Sequence, residues 1–152
     1  MTSTLVIGGT RGLGREVVKQ LSAADHTVSV IGRHEPAAAD RDLPNTDFHI
    51  ADLADVAVMR ATLAEVVRTR GKLRYVVFCQ RYRGKDDNWQ GEFDVTLTAT
   101  KVAVEALQGE FVAEGDKGIV MVSSVFGDHV GEGQAVSYHM AKAGLNQMMR
   151  FY

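Results

Sequence analysis

Thr4-Leu5-Val6-Ile7-Gly8-Gly9-Thr10-Arg11-Gly12-Leu13-Gly14 is the stretch on which the fold turns. A short apolar run ends in glycines, and Leu13, Val17 and Leu21 then recur on one helical face, so the segment predicts strand, turn and helix. Such a turn presents unpaired backbone N–H groups and the positive pole of a helix, both of which attract a diphosphate. Glycine suits it because a Cβ would hold the phosphates away; a tight turn with close helix packing is the other reason for the same residues. The position directly after the first strand favours the phosphate reading.

The alternation repeats outward from there. Thr27 to Ile31 is β-rich and ends at Gly32, and Phe48 to Ala51 is a brief extended run before Asp52, the expected helix-start residue. Val56, Met59, Leu63, Val66 and Val67 follow helical spacing up to Gly71, and Tyr75 to Phe78 has the continuous apolar character of a buried parallel strand. Phe93, Leu97, Val104, Leu107 and Phe111 predict a further amphipathic helix. Ile119 to Val122 is a fifth strand, and a last helix begins at about Ser137. Arg81 to Gly91, RYRGKDDNWQG, is polar and reads as a solvated loop. Five strands alternating with helices predict an α/β fold: one domain over 1–152, with a parallel sheet covered by helices on both faces.

With 152 residues, 45% apolar and 24% charged, the composition is that of an ordinary globular protein. A net charge of -2 argues against a nucleic-acid or anionic-membrane binder, which needs an excess of Lys and Arg. Cys79 is the only cysteine, so neither an intrachain disulfide nor a multi-cysteine zinc site can form. A reducing, cytoplasmic setting is the expectation. The five histidines are scattered without ligand spacing, so no metal is expected. The N-terminus lacks the positive start of a signal peptide, and no run reaches the roughly 18 apolar residues of a membrane span.

Two further groupings carry chemistry. The second strand ends Ile31-Gly32-Arg33, where an NAD-binding fold commonly has an acidic residue for the adenosine ribose. Arg33 and Arg11 offer two guanidinium forks for a 2′-phosphate instead, so NADP is favoured over NAD. Tyr138 stands four residues before Lys142, one helical turn apart on a shared face. A free phenol titrates near pH 10, so a neighbouring ammonium makes it a more willing proton donor. Ser124, at the end of the fifth strand, sits where parallel α/β sheets bind ligands and can donate to a developing oxyanion.

Taken together these residues resemble the short-chain dehydrogenase/reductase family in its compact single-domain form. Its Thr-Gly-x-x-x-Gly-x-Gly signature matches Ile7 to Gly14 apart from the first residue, and its Asp-apolar adenine contact matches Asp52-Leu53. The resemblance implies a Rossmann doubly wound sheet of order 3-2-1-4-5. It implies cofactor contacts along Gly8, Thr10, Arg11, Gly12, Leu13 and Gly14, with Ser124 clamping the substrate oxygen. Tyr138 is then the general acid/base, and Lys142 lowers the tyrosine pKa and binds the nicotinamide ribose. The family commonly ends its fourth strand Asn-Asn-Ala-Gly along the cofactor; here Phe78-Cys79-Gln80-Arg81 stands there, putting Cys79 and Gln80 at the cofactor wall. Thr96 replaces the family's relay asparagine.

The function so implied is hydride transfer between NADP(H) and a small carbonyl or secondary alcohol, with a homo-oligomer built through the last two long helices. The alternatives are an NADP-binding regulatory protein with little or no turnover, or a fragment of the enzyme. The last residues, Asn146 to Tyr152, keep an apolar helical pattern without glycine or proline, and the chain is expected to continue or to meet a partner there.

Overall fold

The structure, a computed structural model, describes residues 2–84 and 88–152, so the Lys85-Asp86-Asp87 part of the expected polar loop lies outside the described residues. Strands β1 (Thr2–Ile7), β2 (His26–Gly32), β3 (Thr46–Ile50), β4 (Tyr75–Phe78) and β5 (Gly118–Met121) form one sheet. All pair in parallel, in the order β3-β2-β1-β4-β5. Helices α1 (Gly12–Ala23), α2 (Val56–Arg70), α3 (Trp89–Phe93), α4 (Ala99–Leu107) and α5 (Val136–Phe151) connect or follow them. Among the described residues no helix is long and apolar enough to cross a membrane.

Alternation along each strand sorts the core into two layers. Leu5, Ile7, Ile31, Val76 and Phe78 point to one side, where Met59 and Leu63 of α2 and Ala103 and Leu107 of α4 cover them. Val6, Val28 and Val30 point to the other, against Val18 of α1. Each such fully buried aliphatic or aromatic side chain contributes about 1.5–3 kcal/mol relative to exposure. The second layer is unevenly covered. Register carries Val6 across to Val77 and then Val120, and Val120 is 54% exposed because α1 reaches only the β1–β2 half.

Strand boundaries fall within two residues of expectation; two helix boundaries do not. Asp52 does not start a helix. Its carboxylate accepts from Ala54 N–H at 3.0 Å in a preceding turn, and Asp55 is the cap, accepting from Ala57 and Val58 N–H at 3.0 Å each. Only Asp55 directly precedes the apolar series that packs on the sheet, so packing selects it and leaves Asp52 and Leu53 at the strand end. Replacing Asp55 with alanine is expected to cost about 1 kcal/mol. A thermal melt should then show a midpoint roughly 2–4 °C lower.

Phe111 is likewise outside the helix predicted for it. α4 ends at Leu107, and Phe111 forms a parallel bridge with Leu73, held by Val112 N–H to Leu73 O at 2.9 Å. It packs on the same core from extended chain, so helical spacing alone could not distinguish the two. At its other end this segment begins early. Trp89 starts a helical turn capped by Asn88, and a wider π-helical turn, Asp94–Thr98, joins α3 to α4. The expected solvated loop is therefore shorter, and its first residues have another role.

Candidate active site

Parallel pairing puts the C-terminal ends of all five strands along one edge, the crevice where open α/β sheets bind ligands. At its centre the Gly8 N–H donates to Ile31 O at 2.7 Å and the Cys79 N–H to Ile7 O at 2.8 Å, so three strand ends are pinned side by side. Chain packing there forbids side chains. A Cβ on Gly8, whose φ is +83°, would lie 2.5 Å from Gln80 N, and one on Gly14 would lie 2.2 Å from Gly8 O. Gly12 differs: at φ +56° its Cβ would have open space beside it, meeting among the described residues only Arg83 Nη2 at 3.6 Å. Of the two reasons for glycine in this turn, close packing applies at Gly8 and Gly14, while Gly12 is not crowded and has a positive φ.

The cleft above this turn has a volume of about 220 Å³. Gly8, Thr10, Arg11 and Arg33 line its floor and one end, with Asp52 and Leu53 beside them and Cys79 and Gln80 opposite. Gly12, Leu13 and Gly14 open α1, whose first turn has neither a side-chain cap nor an acidic residue, so its N–H groups face an incoming anion unopposed. Leu13 itself points to solvent and is 59% exposed. Other basic residues of α1 are used structurally. Arg15 and Lys19 both bind buried Asp40, and Arg15's hydrogen bond holds that carboxyl below the usual carboxylate range. The cleft wall is basic, with four arginines against the carboxylate of Asp52.

Gln80 is buried. Its amide N–H donates to Thr100 Oγ1 at 2.7 Å, while its Oε1 has no partner among the described residues. A buried unpaired oxygen costs about 1–3 kcal/mol, so an orphan beside a cleft points to a partner supplied by something bound. That oxygen, the uncrowded Gly12, the bare α1 terminus and the arginines together fit a dinucleotide.

Ser124, Tyr138 and Lys142 lie beyond the cleft, where the end of β5 packs on α5. Lys142 is buried, and its ammonium donates to Val122 O at 3.0 Å, 5.7 Å from the Tyr138 ring centroid. Burial pushes its pKa below the ordinary lysine value; the charge of buried Glu92 opposes the shift and that of Arg81 adds to it. The Arg81 guanidinium stands closer to the phenol, 4.8 Å above its ring, and donates to Gln134 Oε1 at 2.6 Å. Tyr138 is thus flanked by two cations. Ser124 Oγ accepts from Phe126 N–H at 3.3 Å, and the Phe126 ring meets Tyr138 edge-on at 6.4 Å.

Thr96 does not line the cleft. It is 1% exposed, its hydroxyl donates to Glu92 Oε1 at 2.8 Å, and its carbonyl accepts from Thr100 Oγ1 at 2.7 Å. Burial also raises the Cys79 pKa and keeps the thiol neutral, a packed wall residue beside Gly14.

Sequence reasoning missed Glu92, His34, Tyr82, Arg83 and Val95, of which the last four line the cleft. Arginines at alternate positions directly after a strand's C-terminal end were the available signal, masked by the polarity of their surroundings. Arg81 both lines the cleft and stacks on Tyr138, so it forms the partition between the two halves of the site.

The model of a family described as short chain dehydrogenase matches residues 2–152. L-fucose dehydrogenase of Bos taurus is 26% identical over 96% of this chain and 57% of its own length. The 3-oxoacyl-[acyl-carrier-protein] reductase FabG of Staphylococcus aureus is 29% identical over 94% of the chain and 63% of its own. The chain therefore spans about three-fifths of the length of these curated relatives. Among solved structures, the Pseudomonas aeruginosa RhlG/NADP active-site complex superimposes with a TM-score of 0.84 at 22% identity, covering 99% of this chain and 65% of that one.

Proposed function

The chain belongs to the short-chain dehydrogenase family, and from that premise we propose that it is an NADP-dependent oxidoreductase acting on a small carbonyl or secondary alcohol. The observation that carries this reading is Tyr138, flanked by Arg81 at 4.8 Å and Lys142 at 5.7 Å at the same sheet edge as the glycine turn. When bound, the nicotinamide supplies or accepts the hydride.

The chain's own residues bind and move the proton. The α1 terminus holds the diphosphate, Asp52 and Leu53 border the adenine, and Arg11 and Arg33 fork onto the 2′-phosphate. Ser124, whose oxygen accepts from Phe126 N–H and whose O–H donates to none of the described residues, keeps that O–H to donate to the substrate oxygen. In the reductive direction Tyr138 Oη gives its proton to that oxygen, and the resulting phenolate is stabilised by the flanking cations. Glu92 opposes the desolvation of Lys142 and so helps keep it charged. Thr96, with its hydroxyl committed to Glu92, acts by holding that carboxylate. The protein works as one domain in a cytoplasmic setting, and it self-associates through α4 and α5, where Met140, Met149 and Phe151 are exposed.

NADP selection is tested by Arg33→Asp. NADPH affinity is expected to fall about tenfold or more, the loss of a charge-assisted hydrogen bond. NADH affinity should hold or rise, both read by cofactor fluorescence. Equal loss for the two cofactors would remove Arg33 from the 2′-phosphate site.

One observation favours a second reading, a cofactor-binding regulator without turnover. Arg81 stands on the face of Tyr138 and closes the cleft toward it. Tight NADPH binding with no consumption across a broad panel of aldehydes and ketones would establish that reading over the enzyme.

A further inference from the structure

We propose that Arg83 is a phosphate-binding residue of this cleft, closing on the cofactor's diphosphate from the side opposite the α1 terminus; this rests on the dinucleotide reading above. The chain leaves β4 beside the glycine turn because β1 and β4 pair in parallel, Ile7 opposite Phe78. From there it runs across the cleft, and Arg81, Tyr82 and Arg83 all line it.

The Tyr82 ring fixes the path of this segment. A Cβ on Gly84 would lie 2.2 Å from the Tyr82 hydroxyl, and one on Gly91 2.5 Å from its ring, so the phenol is wedged between the two glycines. With Tyr82 turned that way, its neighbour Arg83 reaches back over the turn. Its Nη2 stands 3.6 Å from the Cβ position of Gly12, the one non-neighbouring group among the described residues that comes within 4 Å of it.

Two donor sets therefore meet at Gly12. On one side are the N–H groups of the first turn of α1, which holds neither a side-chain cap nor an acidic residue. On the other is a guanidinium that pairs with no carboxylate among the described residues. A diphosphate is the chemical class that satisfies both, since it carries two negative groups and accepts from opposed directions. Arg33 cannot substitute. Arg33 extends from the end of β2, two strands from β4 in the sheet order, which is the adenosine end of the crevice.

This division of labour separates the arginines by experiment. NADPH and NADH share the diphosphate and differ only in the 2′-phosphate, so each is titrated by its own fluorescence against the wild-type chain, Arg83→Met, Arg83→Lys and Arg33→Met. Arg83→Met is expected to weaken both cofactors by a similar factor of about ten or more, with Arg83→Lys intermediate, while Arg33→Met weakens NADPH alone. Arg83 is exposed, and an unchanged melting midpoint checks that the variant folds. Wild-type affinity for both cofactors in Arg83→Met overturns the proposal, as does a loss confined to NADPH. A wild-type chain that binds neither cofactor fails earlier, at the dinucleotide reading, and takes this inference with it.

Discussion

Replacing Tyr138 with phenylalanine is expected to cut carbonyl turnover by about 10²–10⁴-fold, the usual range for losing a general acid, while leaving NADPH affinity within about twofold. The substitution removes one atom and little else. The ring that meets Phe126 edge-on at 6.4 Å is kept, and so is the π face under Arg81 at 4.8 Å. Arg81 and Lys142 stay in place, because the lysine is held by Val122 O rather than by the phenol. What disappears is the proton. The measurement is NADPH consumption over a carbonyl panel alongside a fluorescence titration of the cofactor. A variant that keeps turnover within threefold of wild type would show that some other group delivers the proton, and the two-cation setting of Tyr138 would then need a different purpose.

Gly14→Ala is expected to have the largest effect on the cofactor site as a whole, raising the NADPH dissociation constant by about a hundredfold or more and lowering stability by about 1–3 kcal/mol. Its Cβ would lie 2.2 Å from Gly8 O, 3.0 Å from Gly8 C and 3.0 Å from Cys79 Cβ. Two of those atoms are backbone of the turn, so no rotamer change relieves the contact. Helix α1 has to back away from β1, and its N–H cradle moves with it. Comparing with Gly12→Ala separates the causes, because a Cβ there meets nothing closer than Arg83 Nη2 at 3.6 Å, although its φ of +56° carries backbone strain. A thermal melt and a titration on each variant check the result. If Gly14→Ala melts and binds as wild type, the helix–strand approach is softer than the geometry implies.

The parts of the site that were legible in the sequence share one property: each is local. A glycine turn between a β-rich run and a helical run reads within eleven residues, Thr4 to Gly14. Tyr138 and Lys142 declare their shared face by a spacing of four. Even so, the predicted effect of that spacing was incomplete. Lys142 lies at the phenol but directs its hydrogen bond to the end of β5, and the cation nearer the ring comes from 57 positions upstream, at Arg81. Glu92 was invisible for a related reason. A single acid at the start of a helix looks solvated until the packing of α3 against α5 buries it to 5% exposure and sets its charge against Lys142.

The amino-acid order by itself determined the alternation of strands and helices and the two chemical clusters, because hydrophobic period and glycine placement are properties of neighbouring residues. Tertiary structure alone decided which cations surround Tyr138, why Gly14 cannot be alanine, and what Arg83 faces. Those depend on β1 lying beside β4 in a given register, which brings Gly12 and Arg83 together across 71 positions of chain. Such a meeting is set by the pairing of distant strands, and no local pattern encodes it.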